Sequence, residues 1–151
     1  MHEGISAVEY IKSKKTDGNL LAEVRALAMK PSLLKLGRYD ESRVRNRFLD
    51  NFVPESTFKI MKSNDLLGFY VVLIREDHHY LDHLYIKPEH QNKNLGKTVL
   101  NRVIKNAQKD NLPLRLGALK GSRSNDFYIK NDFIKTHEDE FDIYYEYSNH
   151  N

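Results

Sequence analysis

The residues best suited to chemistry lie close together between Leu81 and Lys97, in the run LDHLYIKPEHQNKNLGK. A strand-like stretch ends at Pro88, a polar loop holding one Gly and two Asn follows, and a helix then begins. Such a loop turns several backbone N–H groups toward one point, where the helix macrodipole is positive, and that geometry suits a pyrophosphate. Just upstream, His78-His79-Tyr80-Leu81-Asp82-His83 offers imidazoles and a carboxylate. On a helix, His79 and His83 would share a face, as in a zinc site. Tyr80–Ile86 reads instead as a strand, where four residues separate two side chains by ~13 Å, too far to share one ion directly. No metal centre is expected. The chain has no cysteine, so disulfides, thiolate metal sites and a cysteine nucleophile are excluded.

The loop Gln91-Asn92-Lys93-Asn94-Leu95-Gly96 resembles the acyl-CoA-binding motif of the GCN5-related N-acetyltransferase (GNAT) family, Gln/Arg-x-x-Gly-x-Gly/Ala, with Asn94 in place of the first glycine. Asn is the non-glycine residue that most readily takes φ > 0, so the turn is expected to form. A second segment, Gly121 to Phe133, resembles the family's Asn or Ser followed by Phe/Leu-Tyr and x-x-Gly-Phe. Asn125, Phe127, Tyr128 and Phe133 fit that frame, and Asp132 stands where Gly is usual.

The resemblance implies acetyl-CoA as cosubstrate. Gln91, Asn92, Lys93, Asn94, Leu95, Gly96 and Lys97 would hold its pyrophosphate. The backbone of Leu84, Tyr85 and Ile86 would pair with the pantetheine arm, and Asn125 would touch that arm. Tyr128 would contact the cofactor at its sulfur; a phenol is protonated at neutral pH and can donate to a departing thiolate. Asp82, on the strand where the family often carries an acid, is the implied general base, and His83 is the second candidate. A carboxylate serves there only if burial or neighbours raise its pKa. The first two helices would form one wall of the acceptor pocket.

The elements that must position these residues read as follows. Ile5–Ile11 alternates as a strand and Thr16–Asn19 turns into a helix, where Leu20, Leu21, Val24, Leu27 and Ala28 recur at helical spacing. Pro31 is expected to disrupt that helix or begin another, and Gly37 to loosen the chain. Asp40 caps a helix over Glu41–Asn51, closed by Pro54. Thr57–Met61 and Leu66–Ile74 form a hairpin through Lys62–Asp65, and Tyr80–Ile86 is a fourth strand, with Tyr80, Asp82, Leu84 and Ile86 on one face. Leu95–Gln108 is an amphipathic helix burying Val99, Leu100, Val103, Ile104 and Ala107. Pro113–Leu119 is a strand, Ser122–Asn131 a short helix capped by Ser122 or Ser124, and Phe133–Thr136 and Phe141–Tyr147 are the last strands. The expected fold is α/β. Its order matches the GNAT acyl-CoA N-acyltransferase fold, which implies a central, twisted, mostly antiparallel sheet splayed between strands 4 and 5, with about four helices.

A length of 151 residues, 40% hydrophobic and 30% charged, describes a single globular domain, 1–151. No apolar run approaches a membrane span, and MHEGISAVEY lacks a signal-peptide pattern, so a cytoplasmic location is expected. The net charge of +3 is spread along the chain; no nucleic-acid or membrane partner is expected, whereas a polyanionic small ligand is compatible. The functional expectation is transfer of acetyl from acetyl-CoA to a primary amine by direct attack in a ternary complex. The alternative is a non-catalytic acyl-CoA sensor or interaction domain on the same fold. Homodimers are common in the family.

Overall fold

The computed structural model describes residues 8–91 and 94–148. In chain order these form β1 (Val8–Lys12), α1 (Gly18–Lys35), α2 (Glu41–Leu49), β2 (Thr57–Lys62), β3 (Asp65–Ile74), β4 (His79–Ile86), α3 (Leu95–Lys109), β5 (Leu114–Leu119), α4 (Ser124–Lys130), β6 (Ile134–Glu138) and β7 (Asp142–Tyr147). The fold is α/β, with a seven-stranded mixed sheet in the order β1-β2-β3-β4-β5-β7-β6 and four α-helices among the described residues. Part of the expected first strand, Ile5 to Ala7, lies outside the described residues, as do Asn92 and Lys93.

The described residues fall into two compact units, 8–71 with 83–91 and 94–98, and 72–82 with 99–148. In the first, β2 pairs antiparallel with β1 and β3, and α1 packs beside α2. Its core holds Leu21, Val24, Val44, Phe48, Ile60 and Phe69. Asp40 caps α2 as expected, its side chain accepting from the Arg43 N–H at 2.8 Å, although the helix stops at Leu49.

Helix α1 departs from expectation. Pro31 lies inside it rather than at a break. A proline removes the hydrogen bond to the carbonyl four residues back, here that of Leu27. Leu27 and Pro31 both lie on the exposed side, where water can satisfy that carbonyl. The helix ends instead at Gly37, at φ 68, with the Arg38 N–H bonded to Leu33 O at 2.8 Å and the Gly37 N–H to Leu34 O at 3.0 Å. That is the Schellman arrangement, which needs a left-handed residue at this point. Leu20 and Leu27, expected on the apolar face, are exposed, and Arg25 is buried in their stead.

In the second unit, β5 lies between β4 and β7. Its antiparallel register with β7 runs from Leu114↔Tyr147 to Leu119↔Asp142. The parallel register of β4 with β5 covers His79↔Leu114 to Leu81↔Leu116, while β4 itself continues to Ile86 and β5 to Leu119. Val99, Leu100, Val103, Ile104 and Ala107 of α3 are all buried, as their spacing predicts. Each large apolar side chain so buried stabilises by roughly 1.5–3 kcal/mol, which pins the helix that follows the polar loop. Helix α4 begins at Ser124 with Arg123 at its N-cap and no side-chain cap bond, so neither serine caps it as expected. Strand β6 is exposed throughout, and Lys135 and Glu138 put charge on that edge, which discourages pairing with another strand.

Candidate active site

The expected turn before α3 is present. Asn94 stands at φ 58, and its carbonyl accepts from the Thr98 N–H at 3.1 Å and the Thr98 hydroxyl at 3.0 Å. The helix ladder therefore starts at Thr98, and the N–H groups of Leu95, Gly96 and Lys97 have no acceptor within the helix. Buried Leu95 anchors this first turn, which carries no acidic residue. Gln91 Nε2 donates to the Ile86 carbonyl at 2.9 Å, tying the loop's start to the end of β4. First-turn N–H groups, a positive helix end and a first turn without an acidic residue all fit a pyrophosphate. Asn92 and Lys93, also expected to contribute, lie outside the described residues.

Leu84, Tyr85 and Ile86 end β4. Gly68 on β3 makes their placement possible: a Cβ there would come within 2.2 Å of the Tyr85 carbonyl oxygen, which no real side chain tolerates. The glycine lets the two backbones approach at this point. His83 and Tyr85 share a face, as alternation predicts. The His83 ring lies 5.5 Å from Phe48 edge-on, 6.3 Å from Phe69 and 5.6 Å from Tyr85. Burial, reinforced by the guanidiniums of Arg25 and Arg47, pushes its pKa down to about 3. His83 is thus a neutral imidazole at working pH, and its conjugate acid is too strong for it to take a proton from an ammonium group effectively. Among the described residues no group of three or more His, Cys, Asp or Glu that could hold a metal ion forms.

Asp82 is exposed on β4. It faces half-buried Tyr80, whose phenol is pushed up to about 12 by burial and then by Asp82, Asp142 and Asp139. Tyr80 and Tyr144 meet over Gly117, where a Cβ would lie 2.9 Å from the Tyr144 ring and 3.3 Å from the Tyr80 hydroxyl. Tyr144 donates to Asp139 at 2.8 Å and stacks on His137 at 4.5 Å.

Tyr128 is buried in α4, its ring 5.6 Å from Phe133 and 6.3 Å from Tyr145. Its carbonyl accepts from the N–H groups of Asn131 and Phe133, each at 3.1 Å. Asp132, in the usual glycine position, takes φ 71 and so keeps the left-handed turn the segment needs. Asn125 is tied within the protein. Its amide nitrogen donates to the Leu119 and Ser122 carbonyls at 2.9 and 3.0 Å, and its Oδ1 accepts from the Tyr145 hydroxyl at 2.8 Å. This joins α4 to the end of β5 and to β7, and leaves one Oδ1 lone pair for a ligand.

Residues 38–143 match the family model described as an acetyltransferase (GNAT) domain. The chain belongs to the GNAT family. Its fold is similar to that of the PaiA N-acetyltransferase from Thermoplasma acidophilum, solved in complex with coenzyme A (24% identity over 94% of this chain and 99% of that one, TM-score 0.78). A GCN5-related N-acetyltransferase from Rhodopseudomonas palustris is similar at 15% identity, covering 98% of this chain and 99% of that one, with TM-score 0.74. The ribosomal-protein-S18-alanine N-acetyltransferase from Escherichia coli is similar at 16% identity, covering 92% of each chain, with TM-score 0.67. At these identities the likeness is one of fold. No curated protein matches the sequence.

Arg25 was not singled out by the sequence reading of this site. Its signal was present: it stands four residues after Leu21 and next to Val24, on the face of α1 that the helix buries.

Proposed function

We propose that this chain, acting as one domain, transfers the acetyl group of acetyl-CoA to a primary amine. The observation that carries the reading is Asn94 at φ 58, followed by the first turn of α3, whose ladder begins at the Thr98 N–H, in a chain of this family. Gln91, Asn94, Leu95, Gly96 and Lys97, with Asn92 and Lys93, bind the pyrophosphate through backbone N–H groups and the lysine charges. The pantetheine amides pair with the backbone of Leu84, Tyr85 and Ile86, and Asn125 offers its remaining lone pair. Bound this way, acetyl-CoA supplies the activated acyl group.

The amine attacks the thioester carbonyl directly. Holding the two reactants in line contributes up to ~7–11 kcal/mol. A backbone N–H at the end of β4 stabilises the oxyanion, and Tyr128 gives its proton to the departing thiolate. Asp82, on the strand where the family often carries an acid, is the candidate that accepts the ammonium proton, directly or through water. His83 is set aside as base because its pKa is depressed. The expected location is the cytoplasm; among the described residues no helix is long and apolar enough to cross a membrane. A homodimer remains part of the family-based expectation.

An amine panel read by CoA thiol release tests the activity, and the absence of cysteine from the chain removes protein background. Release that depends on an amine, and falls about 10- to 1000-fold in Tyr128→Phe with acetyl-CoA affinity retained, is the expected result. Unchanged turnover in that variant removes the tyrosine from the mechanism.

A further inference from the structure

Arg25 is a charged residue in the core. It is only 7% exposed, on the inner face of α1. Its Nη1 donates to the Val44 carbonyl of α2, and its guanidinium lies 6.0 Å over the Tyr85 ring, but its Nε finds no acceptor. The nearest acid in sequence, Glu23, is held by Arg45 in a two-pronged ion pair at 2.5 and 3.0 Å. Neither Arg25 nor Arg47 makes an ion pair among the described residues, where the arginines and lysines that do include Arg45, Lys59, Arg115, Lys120 and Lys135. A buried guanidinium with one carbonyl partner is electrostatically incomplete, because removal from water costs several kcal/mol per ion unless an anion or more acceptors replace the hydration.

Aromatic and polar side chains surround Arg25. Tyr85 donates its hydroxyl to Met29 Sδ at 3.3 Å, a weak acceptor, and lies 3.4 Å from His83 Nδ1. His83, Tyr85 and Met29 are each partly exposed, and Arg47 on α2 is exposed. Phe48 and Phe69 close the inner side. This face therefore combines aromatic walls, a neutral imidazole and Arg25, with Arg47 near enough for its charge to act on His83 and neither cation ion-paired among the described residues.

We propose that the acceptor amine carries a carboxylate, received by the guanidiniums of Arg25 and Arg47 beside His83 and Tyr85. The proposal rests on the acetyl-transfer reading for the word acceptor, but its recognition chemistry stands on this face alone. The planar fork of Arg suits a carboxylate, and two such cations disfavour a polyamine at the same place. A free amino acid and a peptide with an acidic residue near its amino end share this chemistry.

The test separates binding from turnover. N-acetylglycine and N-acetylglycinamide, product mimics differing only in the charged group, are titrated calorimetrically into wild type, Arg47→Gln, Arg25→Lys and the exposed-charge control Arg75→Gln. The expected result is at least about tenfold tighter binding of the carboxylate by wild type and by the control. Arg47→Gln should erase most of that preference. Arg25→Lys, checked for an intact melt, should reduce it while keeping the charge. Equal binding of the two probes by wild type, or an undiminished preference in Arg47→Gln, overturns the proposal. A carboxylate preference without any amine-dependent CoA release leaves this inference standing and sinks the acetyl-transfer reading. In the turnover panel, amino acids and acidic dipeptides tell the two acceptor sources apart.

Discussion

Single backbone angles and single atoms determine much of what the residues can do. Asn94 and Asp132 both occupy positions where the family favours glycine, and both hold φ > 0, at 58 and 71. Asn and Asp tolerate that region because their short side chains can bond locally; a β-branched residue does not. Asn94→Gly should therefore preserve acetyl-CoA affinity, whereas Asn94→Val should strain the turn by about 1–3 kcal/mol and weaken binding, as calorimetry would show. The compatibility of Asn94 with the loop was legible in the sequence, since it follows from residue type. The placement of Arg25 and the low pKa of His83 were not, since each depends on neighbours that are distant in the chain: Val44 for the one, burial and then the charges of Arg25 and Arg47 for the other. The His83 shift has a direct consequence. Its folded pKa of about 3 lies below the ordinary value of 6.5, so between the two the unfolded chain binds a proton that the folded protein does not. The stability contribution is complete above about pH 6.5 and falls by up to ~1.4 kcal/mol per pH unit as the pH drops toward 3. Urea unfolding from about pH 7 to 4 should show this slope in wild type and a flatter one in His83→Phe. Equal slopes would contradict the assignment.

Among the elements, periodicity identified what a single side of each element decides. Helix α3 buries the five apolar residues that its spacing singles out, and β5 alternates buried and half-buried positions. Helix α1 was less legible. Pro31 reads as a break, yet its missing hydrogen bond falls on the solvent side, where its cost is small, and the stop is made by Gly37 six residues later. The close approaches of strands were also hidden, because a glycine in a strand does not say what lies against it. Two substitutions separate the cases. Gly68→Ala puts a Cβ 2.2 Å from the backbone oxygen of Tyr85, which must move with its strand. Gly117→Ala meets the ring of Tyr144 at 2.9 Å, and a side chain can yield more readily than a strand. Gly68→Ala should cost at least the roughly 1–3 kcal/mol typical of overpacking, and Gly117→Ala less. Thermal melts of the two variants would reverse this ranking if Tyr85 were free to shift.

For the whole molecule, the order of elements was legible because strand and helix periods differ, and because the loop before α3 and the segment around Tyr128 both fit one family. That family assignment is independently carried by the match over residues 38–143. The identity of the acceptor was not legible, since the proposed carboxylate recognition draws on side chains from α1, α2 and β4 that meet only after folding. The central claim is that the turn at Asn94 and the first turn of α3 hold acetyl-CoA. It is tested most directly by calorimetric titration of acetyl-CoA, after stripping copurified cofactor, into wild type and Gly96→Glu. Micromolar binding by wild type and none by the variant, in which a carboxylate occupies the first turn, is the predicted result. Equal binding by both, or none by the stripped wild type, would contradict the account.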